Sequence, residues 1–354
     1  METRRTLLVD AFTEEPLAGN VAGVVPDAVG LSDDRMGRIA AELGASETAF
    51  LTPVEGANGA VDDDTEGTAA DVEGTADDDI GGTDDVGSHR RVRYFTPTDE
   101  VDLCGHATIA SYAALFADGA IDAGEHLLRT NVGDLAITVT ESGRVWMRQG
   151  QSTVETVDVD ADRLGAVLGI DPAALRDVGA DLPVAVASTG LPFLVVPVNF
   201  LERLGEADPD MRAVEELSAE FDVAGVYAFT FDTLEAESTL HGRAFAPAVG
   251  VPEDPVTGTA SGAVGGYLRE AGAFDGDFPA EVRCEQGHFL DRPGYVGVRV
   301  EASDAADGDD ENGAADGATA EDEVTVTVGG DAVVSVDGEI RLPEEAADDG
   351  IVEA

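Results

Sequence analysis

Four side chains in this sequence carry groups that suit acid–base or nucleophilic chemistry: Glu47, Cys104, His106 and Asp254. A carboxylate such as that of Glu47 can take a proton from one atom of a substrate and return it to another. A histidine can donate a hydrogen bond or relay a proton, although a lone histidine is as often structural. Asp254 either ends a turn or orients a hydroxyl or amine of a substrate. These groups favour proton transfer as the reaction.

Cys104 supports a competing reaction, because a thiolate at a helix N-terminus is activated and two facing cysteines can racemise an amino acid. The second cysteine, Cys284, lies in a later predicted strand, however, and no cysteine occurs in Val256–Gly258, which corresponds to the Cys104 segment. A pair of catalytic thiols is therefore disfavoured. We expect both cysteines to be small buried hydrophobic residues.

Small residues surround two predicted helix starts, at Gly105 in CGHATIASYAALF and at Gly258 in TGTASGAVGGYL. Such helix N-termini leave backbone N–H groups uncovered, and these groups hold anions. For one segment alone, close packing of two helices is the simpler explanation. Because both segments share the design, we expect them to hold a carboxylate or a developing enolate without a metal. The glycines spell neither a dinucleotide-binding nor a phosphate-loop pattern, which argues against a nucleotide cofactor.

An internal repeat supplies the elements that must position these groups. Residues 31–51 predict an amphipathic helix followed by a strand, and residues 208–230 repeat that order. Downstream, the segment RYFTP at 93–97 corresponds to RAFAP at 243–247, and GHAT at 105–108 corresponds to GTAS at 258–261. Each half is predicted to run strand, strand, helix, strand, strand, helix, strand. Two such lobes create a cleft where they meet, and ligands favour such interfaces.

The repeat is broken at the chemically interesting positions. It pairs Glu47 with Val226, so that a charge in the first half corresponds to an apolar residue in the second, and it pairs His106 with Thr259. A single base in an otherwise duplicated cleft can remove a proton and return it elsewhere. The alternative is an exposed strand glutamate without a catalytic role.

We predict two lobes, residues 1–128 and 129–354, with a linker at about 151–183. Whether the final strand of the chain joins the first lobe stays open. Two acidic stretches without apolar periodicity, 55–88 and 302–322, predict inserted and solvated loops.

The charge of the chain excludes several functions. All 20 basic residues are arginine, 73 residues are Asp or Glu, and the formal net charge is −53. This charge excludes unaided binding to nucleic acid. It is typical of adaptation to high salt, because molar salt screens self-repulsion beyond about 3 Å. No run of about 20 apolar residues and no secretory signal occurs, so we expect a cytoplasmic protein without a membrane partner.

Together these motifs resemble the PhzF family of phenazine biosynthesis-like proteins, which has the diaminopimelate epimerase-like fold. The matching segments follow the family's order: VDAFTEEPLAGNVAGVV, SETAFL, RYFTPTDEVDLCGHATIAS, RAFAPAVGVPEDPVTGTASG and EQGHFLDRP. The resemblance implies an α+β fold of two pseudo-symmetric lobes, each a β-barrel wrapped around a central α-helix. It also implies a homodimer.

The resemblance further implies a cofactor-free isomerase that moves a proton within a small carboxylated metabolite, similar to trans-2,3-dihydro-3-hydroxyanthranilate isomerase. Glu47 would be the proton shuttle, and the implied substrate-binding residues are His106, Asp254, Gly105, Gly258 and Thr259. No metal or cofactor is expected. Two alternatives stay open: an amino-acid epimerase or racemase that pairs Glu47 with Cys104 or His106, and a non-catalytic binder of small carboxylates.

Overall fold

The computed structural model describes residues 2–54, 89–176, 178, 182–274, 276–302 and 324–343. The two expected acidic loops lie outside these residues, apart from Ala302, which ends a strand. The expected linker at 151–183 contains a strand and two helices. None of the described helices is long and apolar enough to cross a membrane.

In the first half of the chain, the described residues form eight strands and two helices. The strands are β1 (Thr3–Ala11), β2 (Asn20–Val25), β3 (Thr48–Pro53), β4 (His89–Phe95), β5 (Glu100–Val101), β6 (Gly124–Thr130), β7 (Gly133–Val139) and β8 (Val145–Arg148). Helix α1 (Asp33–Leu43) connects β2 to β3, and α2 (Gly105–Ala117) connects β5 to β6.

After β8 come a strand and two helices, β9 (Thr153–Thr156), α3 (Ala161–Leu168) and α4 (Ala173–Arg176). The second half then repeats the order of the first, with one more helix before its counterpart of α1. The strands that follow are β10 (Ala185–Ser188), β11 (Phe193–Pro197), β12 (Gly225–Thr230), β13 (Leu240–Ala246), β14 (Val251–Asp254), β15 (Val282–Gln286), β16 (Gly294–Ala302), β17 (Val324–Gly330) and β18 (Ala332–Arg341). The helices that follow are α5 (Leu201–Gly205), α6 (Met211–Phe221) and α7 (Gly258–Glu270).

All the described strands form one sheet, in which two half-sheets repeat the same pairing. The first half-sheet runs β18-β1-β2-β3-β4-β6-β7-β8, with β2–β3 and β4–β6 parallel and its other pairs antiparallel. The second runs β9-β10-β11-β12-β13-β15-β16-β17, with β11–β12 and β13–β15 parallel. Strands β8 and β17 join the two halves. The predicted α+β fold with two pseudo-symmetric lobes is confirmed.

Each half-sheet is completed by a strand that follows the strands of the other half-sheet in sequence. Strand β9 follows β8 in sequence but pairs with β10, and the last strand, β18, pairs with β1 of the first half. Residue 128, the expected end of the first lobe, lies inside β6, which pairs with β4 and β7. The topology therefore favours a boundary after β8.

Each half-sheet curves around one buried helix. Helix α2 packs against β1, β2, β8 and β18, while α7 packs against β9, β10, β16 and β17. Residues 107–115 and 260–268 are buried without exception, so these helices have no solvent-facing side. Their small residues let the strands approach closely: a side chain at Gly265 would lie 2.5 Å from Val298. The buried hydroxyl groups of Thr108, Ser111 and Ser261 donate to carbonyl groups one turn earlier.

Helices α1 and α6 correct the alignment of the two halves. Both have 11 residues, so that the N-cap Ser32 corresponds to Asp210 and the left-handed C-cap Gly44 corresponds to Asp222. A match between the two methionines, Met36 and Met211, is three positions out of step, because Met36 corresponds to Val214.

Strand pairing gives the same corrected alignment around Glu47. Arg93 lies opposite Phe50, and Arg243 lies opposite Ala228, so Phe50 corresponds to Ala228. The residue equivalent to Glu47 is therefore Gly225, and the assignment to Val226 was wrong by one residue. A side chain at Gly225 would lie 2.2 Å from the carbonyl oxygen of Phe245. The second half therefore has no room for a counterpart of the Glu47 side chain.

The two helix starts make a matched pair for a stability test. A methyl group at Gly258 would lie 2.9 Å from Cζ of the buried Phe12, whereas one at Gly105 would meet Met147 at an ordinary 3.6 Å. We expect Gly258→Ala to lower the free energy of unfolding by about 1–3 kcal/mol through overpacking. Gly105→Ala is the control, because the helix propensity of alanine acts equally at both starts. Urea unfolding measures both, and equal effects would contradict the Phe12 contact.

Candidate active site

The N-termini of the two buried helices face one another across the lobe interface. Both helices begin at the predicted glycines, Gly105 and Gly258. Oγ1 of Thr259 lies 3.8 Å from the point where a side chain at Gly105 would begin. The N-cap residues, Cys104 and Thr257, make no side-chain cap of their helices. Two partly positive helix ends thus meet at one place.

Glu47, His106 and Cys104 form a polar cluster beside these helix starts. Glu47 immediately precedes β3, and its carbonyl group accepts the N–H of Gly23 in β2, so the backbone that carries it is fixed. Its Oε2 lies 3.4 Å from Nε2 of His106, the second residue of α2. Nδ1 of His106 lies 3.4 Å from Sγ of Cys104. The side chains of Glu47 and His106 are 21% and 11% exposed, which leaves them accessible to a ligand yet mostly shielded from water.

The thiol of Cys104 is a poor nucleophile in this environment. Burial raises its pKa well above the usual range, and the negative charge of Glu47 raises it further. Burial also raises the pKa of Cys284 to about 12. Both cysteines are buried, as predicted, and Cys284 lies in β15, away from the cluster. Both are therefore protonated at neutral pH.

Asp254, the last residue of β14, completes the group of ionisable residues. Burial raises the pKa of its carboxyl group, while the nearby His106 and a hydrogen bond from Thr257 lower it. Its Oδ2 accepts the Thr257 hydroxyl at 2.6 Å, and its Oδ1 accepts Nδ2 of Asn20 at 2.8 Å. Asn20 belongs to β2, so this bond crosses from the first half of the chain to the second.

These residues line one cavity of about 150 Å³. That volume is about five times the ~30 Å³ that a water molecule occupies in the liquid, which suits a small metabolite. Its polar lining brings together every predicted site residue, and the rest is apolar: Leu103, Leu191, Phe193, Ala244, Ala246, Val249, Val251 and Val256. Among the lining residues, His106 alone can carry a positive charge.

A larger cleft of about 660 Å³ opens elsewhere, lined by Phe12, Arg144, Arg283, Tyr295 and Asp331 among others. It contains none of the predicted site residues, and its described lining mixes arginines with carboxylates. The smaller cavity is the better candidate, because it alone holds acid–base groups at the helix starts.

A metal ion could be held by the same cluster. Glu47, Cys104 and His106 each offer one ligand atom, and these atoms lie within 4.8 Å of one another. Imidazole, thiolate and carboxylate are ligands that Zn²⁺ accepts. The absence of a metal requirement stays a prediction.

The sequence reasoning missed Asn20, Thr257 and Gln286, which surround Asp254. Gln286 ends β15 and donates from Nε2 to the carbonyl oxygen of Asp254 at 2.7 Å. Asn20 and Gln286 are 3% and 1% exposed. For Asn20 and Gln286 the available signal was the type of residue, since each is an amide at the end of a strand and a buried amide needs a polar partner.

The sequence matches the family described as Phenazine biosynthesis-like protein, PhzC-PhzF, over residues 9–338. An uncharacterized isomerase of Deinococcus radiodurans is 37% identical over 305 residues, which cover 83% of this chain and 85% of that protein. The uncharacterized isomerase YfhB of Bacillus subtilis is 33% identical, and the match covers 85% of this chain and 92% of YfhB.

Among solved structures, the PhzF-family phenazine biosynthesis protein of Bacillus anthracis superposes with a TM-score of 0.75 at 28% identity. The superposition covers 97% of this chain and 100% of the Bacillus anthracis chain. Family, relatives and fold agree over nearly the whole length. The chain belongs to the PhzC-PhzF family of phenazine biosynthesis-like proteins and is an isomerase of that family.

Proposed function

We propose that this isomerase moves a proton within a small carboxylated metabolite, using Glu47 as its single base and no cofactor. The observation that carries the proposal is the position of Glu47, half-buried beside His106 in a cavity closed by two helix N-termini. The nearest reaction by family resemblance is that of trans-2,3-dihydro-3-hydroxyanthranilate isomerase. A phenazine precursor is one candidate substrate.

The proposed reaction requires only the transfer of one proton and the movement of electron pairs within the substrate. The Glu47 carboxylate takes a proton from a C–H bond, and the electron pair of that bond moves into the adjacent conjugated system. The resulting negative charge is stabilised by donors already in place, the first-turn N–H groups and His106. Protonated Glu47 then returns the proton to a second carbon. Substrate and product are isomers, so no oxidant, reductant or water is consumed.

The substrate carboxylate would be held by backbone groups. The described residues that line the cavity include no arginine, and the carboxylates of Glu47 and Asp254 repel an anion. Binding of a carboxylate there therefore depends on the positive ends of the two helices. Gly105 and Gly258 lack side chains that would cover the N–H groups, and the Thr259 hydroxyl adds a donor between them. This supports the substrate-binding roles predicted for these three residues.

The clustering of the acid–base groups favours one base over two. A racemase needs two groups on opposite faces of a carbon, each about 3–3.5 Å from it, and therefore about 6–7 Å apart. The ligand atoms of Glu47, Cys104 and His106 lie within 4.8 Å of one another. A racemase that pairs Glu47 with either neighbour is the weaker candidate. A binder without turnover is also weaker, because such a protein has no use for a shielded base in its cavity.

Glu47→Gln tests the proposed base. We expect it to slow deuterium incorporation from heavy water by about 10²- to 10⁴-fold, because the amide cannot accept a proton from carbon. The assay follows candidate carboxylated metabolites, including trans-2,3-dihydro-3-hydroxyanthranilate, by proton NMR at high salt. Glu42→Gln, at an exposed position on α1, is the control and should retain the wild-type rate.

A second variant separates the alternatives. Cys104→Ser should reduce exchange far less than Glu47→Gln if Glu47 acts alone. An equal loss in both variants would support a two-base epimerase, and full activity of Glu47→Gln would contradict the proposed role. A ligand that binds the wild type without any exchange would support the binding protein.

The proposed activity without a metal ion leads to a separate prediction. Treatment with EDTA should leave the exchange rate unchanged, whereas added Zn²⁺ should inhibit by occupying Glu47 and His106. Exchange rates in chelated and zinc-supplemented samples measure both effects. Loss of activity on chelation, restored by one metal, would overturn the cofactor-free proposal.

We also propose that the protein works as a homodimer in a salt-rich cytoplasm. The dimer and the compartment are supported by the family resemblance, and light scattering at high salt tests the dimer. High salt is supported by the net charge of −53.

If screening of self-repulsion stabilises the fold, the free energy of unfolding should rise steadily from about 0.2 to 3 M KCl. Urea titrations at each salt concentration measure it, and sucrose serves as an uncharged control. A constant or falling value would exclude this adaptation.

A further inference from the structure

Asp254 is held from both halves of the chain by three side chains, those of Asn20, Thr257 and Gln286. Nδ2 of Asn20 donates to Oδ1 of Asp254 at 2.8 Å and to the carbonyl oxygen of Val256 at 2.9 Å. A carbonyl oxygen can only accept, so the group of Asn20 that faces it must be the amide nitrogen. Asp254 Oδ1 therefore receives an N–H donor.

The orientation of Gln286 follows in the same way. Its Oε1 accepts the backbone N–H of Thr257 at 3.2 Å, which only an oxygen can do. Its Nε2 must then donate to the carbonyl oxygen of Asp254 at 2.7 Å and to Oγ1 of Thr257 at 3.2 Å. Since Oγ1 of Thr257 accepts from Gln286, its own hydrogen is free to point at Oδ2 of Asp254, 2.6 Å away.

In this arrangement both oxygens of Asp254 accept hydrogen bonds, as those of an ionised carboxylate do, while burial holds the pKa of the group above its usual range. Donors to the charged form oppose the effect of burial, which disfavours it. The two amides are buried, and a buried amide without partners would cost free energy, so the network has little freedom to rearrange. Next to it, Gly287 adopts φ +83° and passes so close to Pro255 that a side chain would lie 2.7 Å from the Pro255 carbonyl oxygen.

The hydrogen bonds from Asn20, Thr257 and Gln286 form a clamp on Asp254, and this clamp occurs once in the duplicated fold. Helices α2 and α7 both have 13 residues, so Asp254 corresponds to Val101 and Thr257 corresponds to Cys104. The first half thus has no carboxylate at the position equivalent to Asp254, and the second half has none at the position equivalent to Glu47. The two carboxylates of the cavity come from different lobes, and each lobe supplies one.

We propose that Asn20 and Gln286 are positioning residues that keep Asp254 ionised and fixed in the cavity wall, where it accepts a hydrogen bond from a donor group of the substrate. The inference rests on the proposed function for the contact between Asp254 and substrate. The hydrogen bonds that define the clamp do not depend on it.

The test measures the titration of Asp254 in the full chain. Carbon-13 NMR of protein labelled at the aspartate carboxyl groups follows protonation, and the Asp254 signal is identified by its loss in Asp254→Asn. Asn20→Ala removes the donor to Oδ1, and Gln286→Met removes the amide that holds the Thr257 hydroxyl in place for Oδ2. In both variants we expect Asp254 to protonate at a pH about one unit higher than in the wild type. Asn131→Ala is the matched control, because that exposed amide donates to the exposed Glu100 at 3.1 Å.

An unchanged titration of Asp254 in the folded variants would overturn the proposal. If a variant of a buried amide fails to fold, Thr257→Val provides the same test. It is a milder change, because Thr257 is only half-buried. Because the titration needs no substrate, it is independent of the isomerase assay. If Asp254 titrates as predicted but the wild type shows no deuterium exchange, the proposed function is wrong and the positioning role of Asn20 and Gln286 stands.

Discussion

The structure depends on the need to bury two apolar helices completely inside one sheet. Helices α2 and α7 have no polar face, so each must be surrounded by strands, and the half-sheets curve to do this. A helix buried along its length still has a polar end, because its first N–H groups lack partners within the helix. Both helix N-termini lie at the lobe interface, where a negatively charged ligand can accept hydrogen bonds from their N–H groups.

Duplication accounts for the cavity, and departures from duplication account for its chemistry. The paired glycines, Gly105 and Gly258, repeat, while Glu47 and Asp254 each appear on one side only. Gly225 shows a physical reason for one departure, since the carbonyl of Phe245 fills the space that a side chain would take. A symmetric binding cradle thus carries an asymmetric set of acid–base groups. Such a site can distinguish the two positions between which a proton moves.

Much of this was predictable, because the repeat and the small residues at the helix starts are local features of the sequence. The two helix starts at glycine, the buried cysteines and the gathering of Glu47, His106 and Asp254 followed from them. The predicted order of seven elements in each half was incomplete, because it lacked the short strands β5 and β14, helix α5 and the strands that follow β6 and β15. The alignment of Glu47 with the second half could not be predicted in this way. The pair Ala-Phe occurs in both β3 and β12, but shifted by one residue between the two strands, and only the cross-strand register shows the shift. Nor could the role of Asn20, whose partner lies 234 residues away, be predicted.

The exchange of β9 and β18 between the half-sheets has a consequence for folding during synthesis. Strand β1 needs β18 as its neighbour, yet the ribosome makes β18 last among the described strands. The first lobe therefore leaves one edge of its sheet unpaired until nearly the whole chain has emerged, and unpaired edges are prone to aggregate. The second lobe, whose β9 precedes all its other strands, has no such delay. The half of the protein that is made first is thus the half that is completed last.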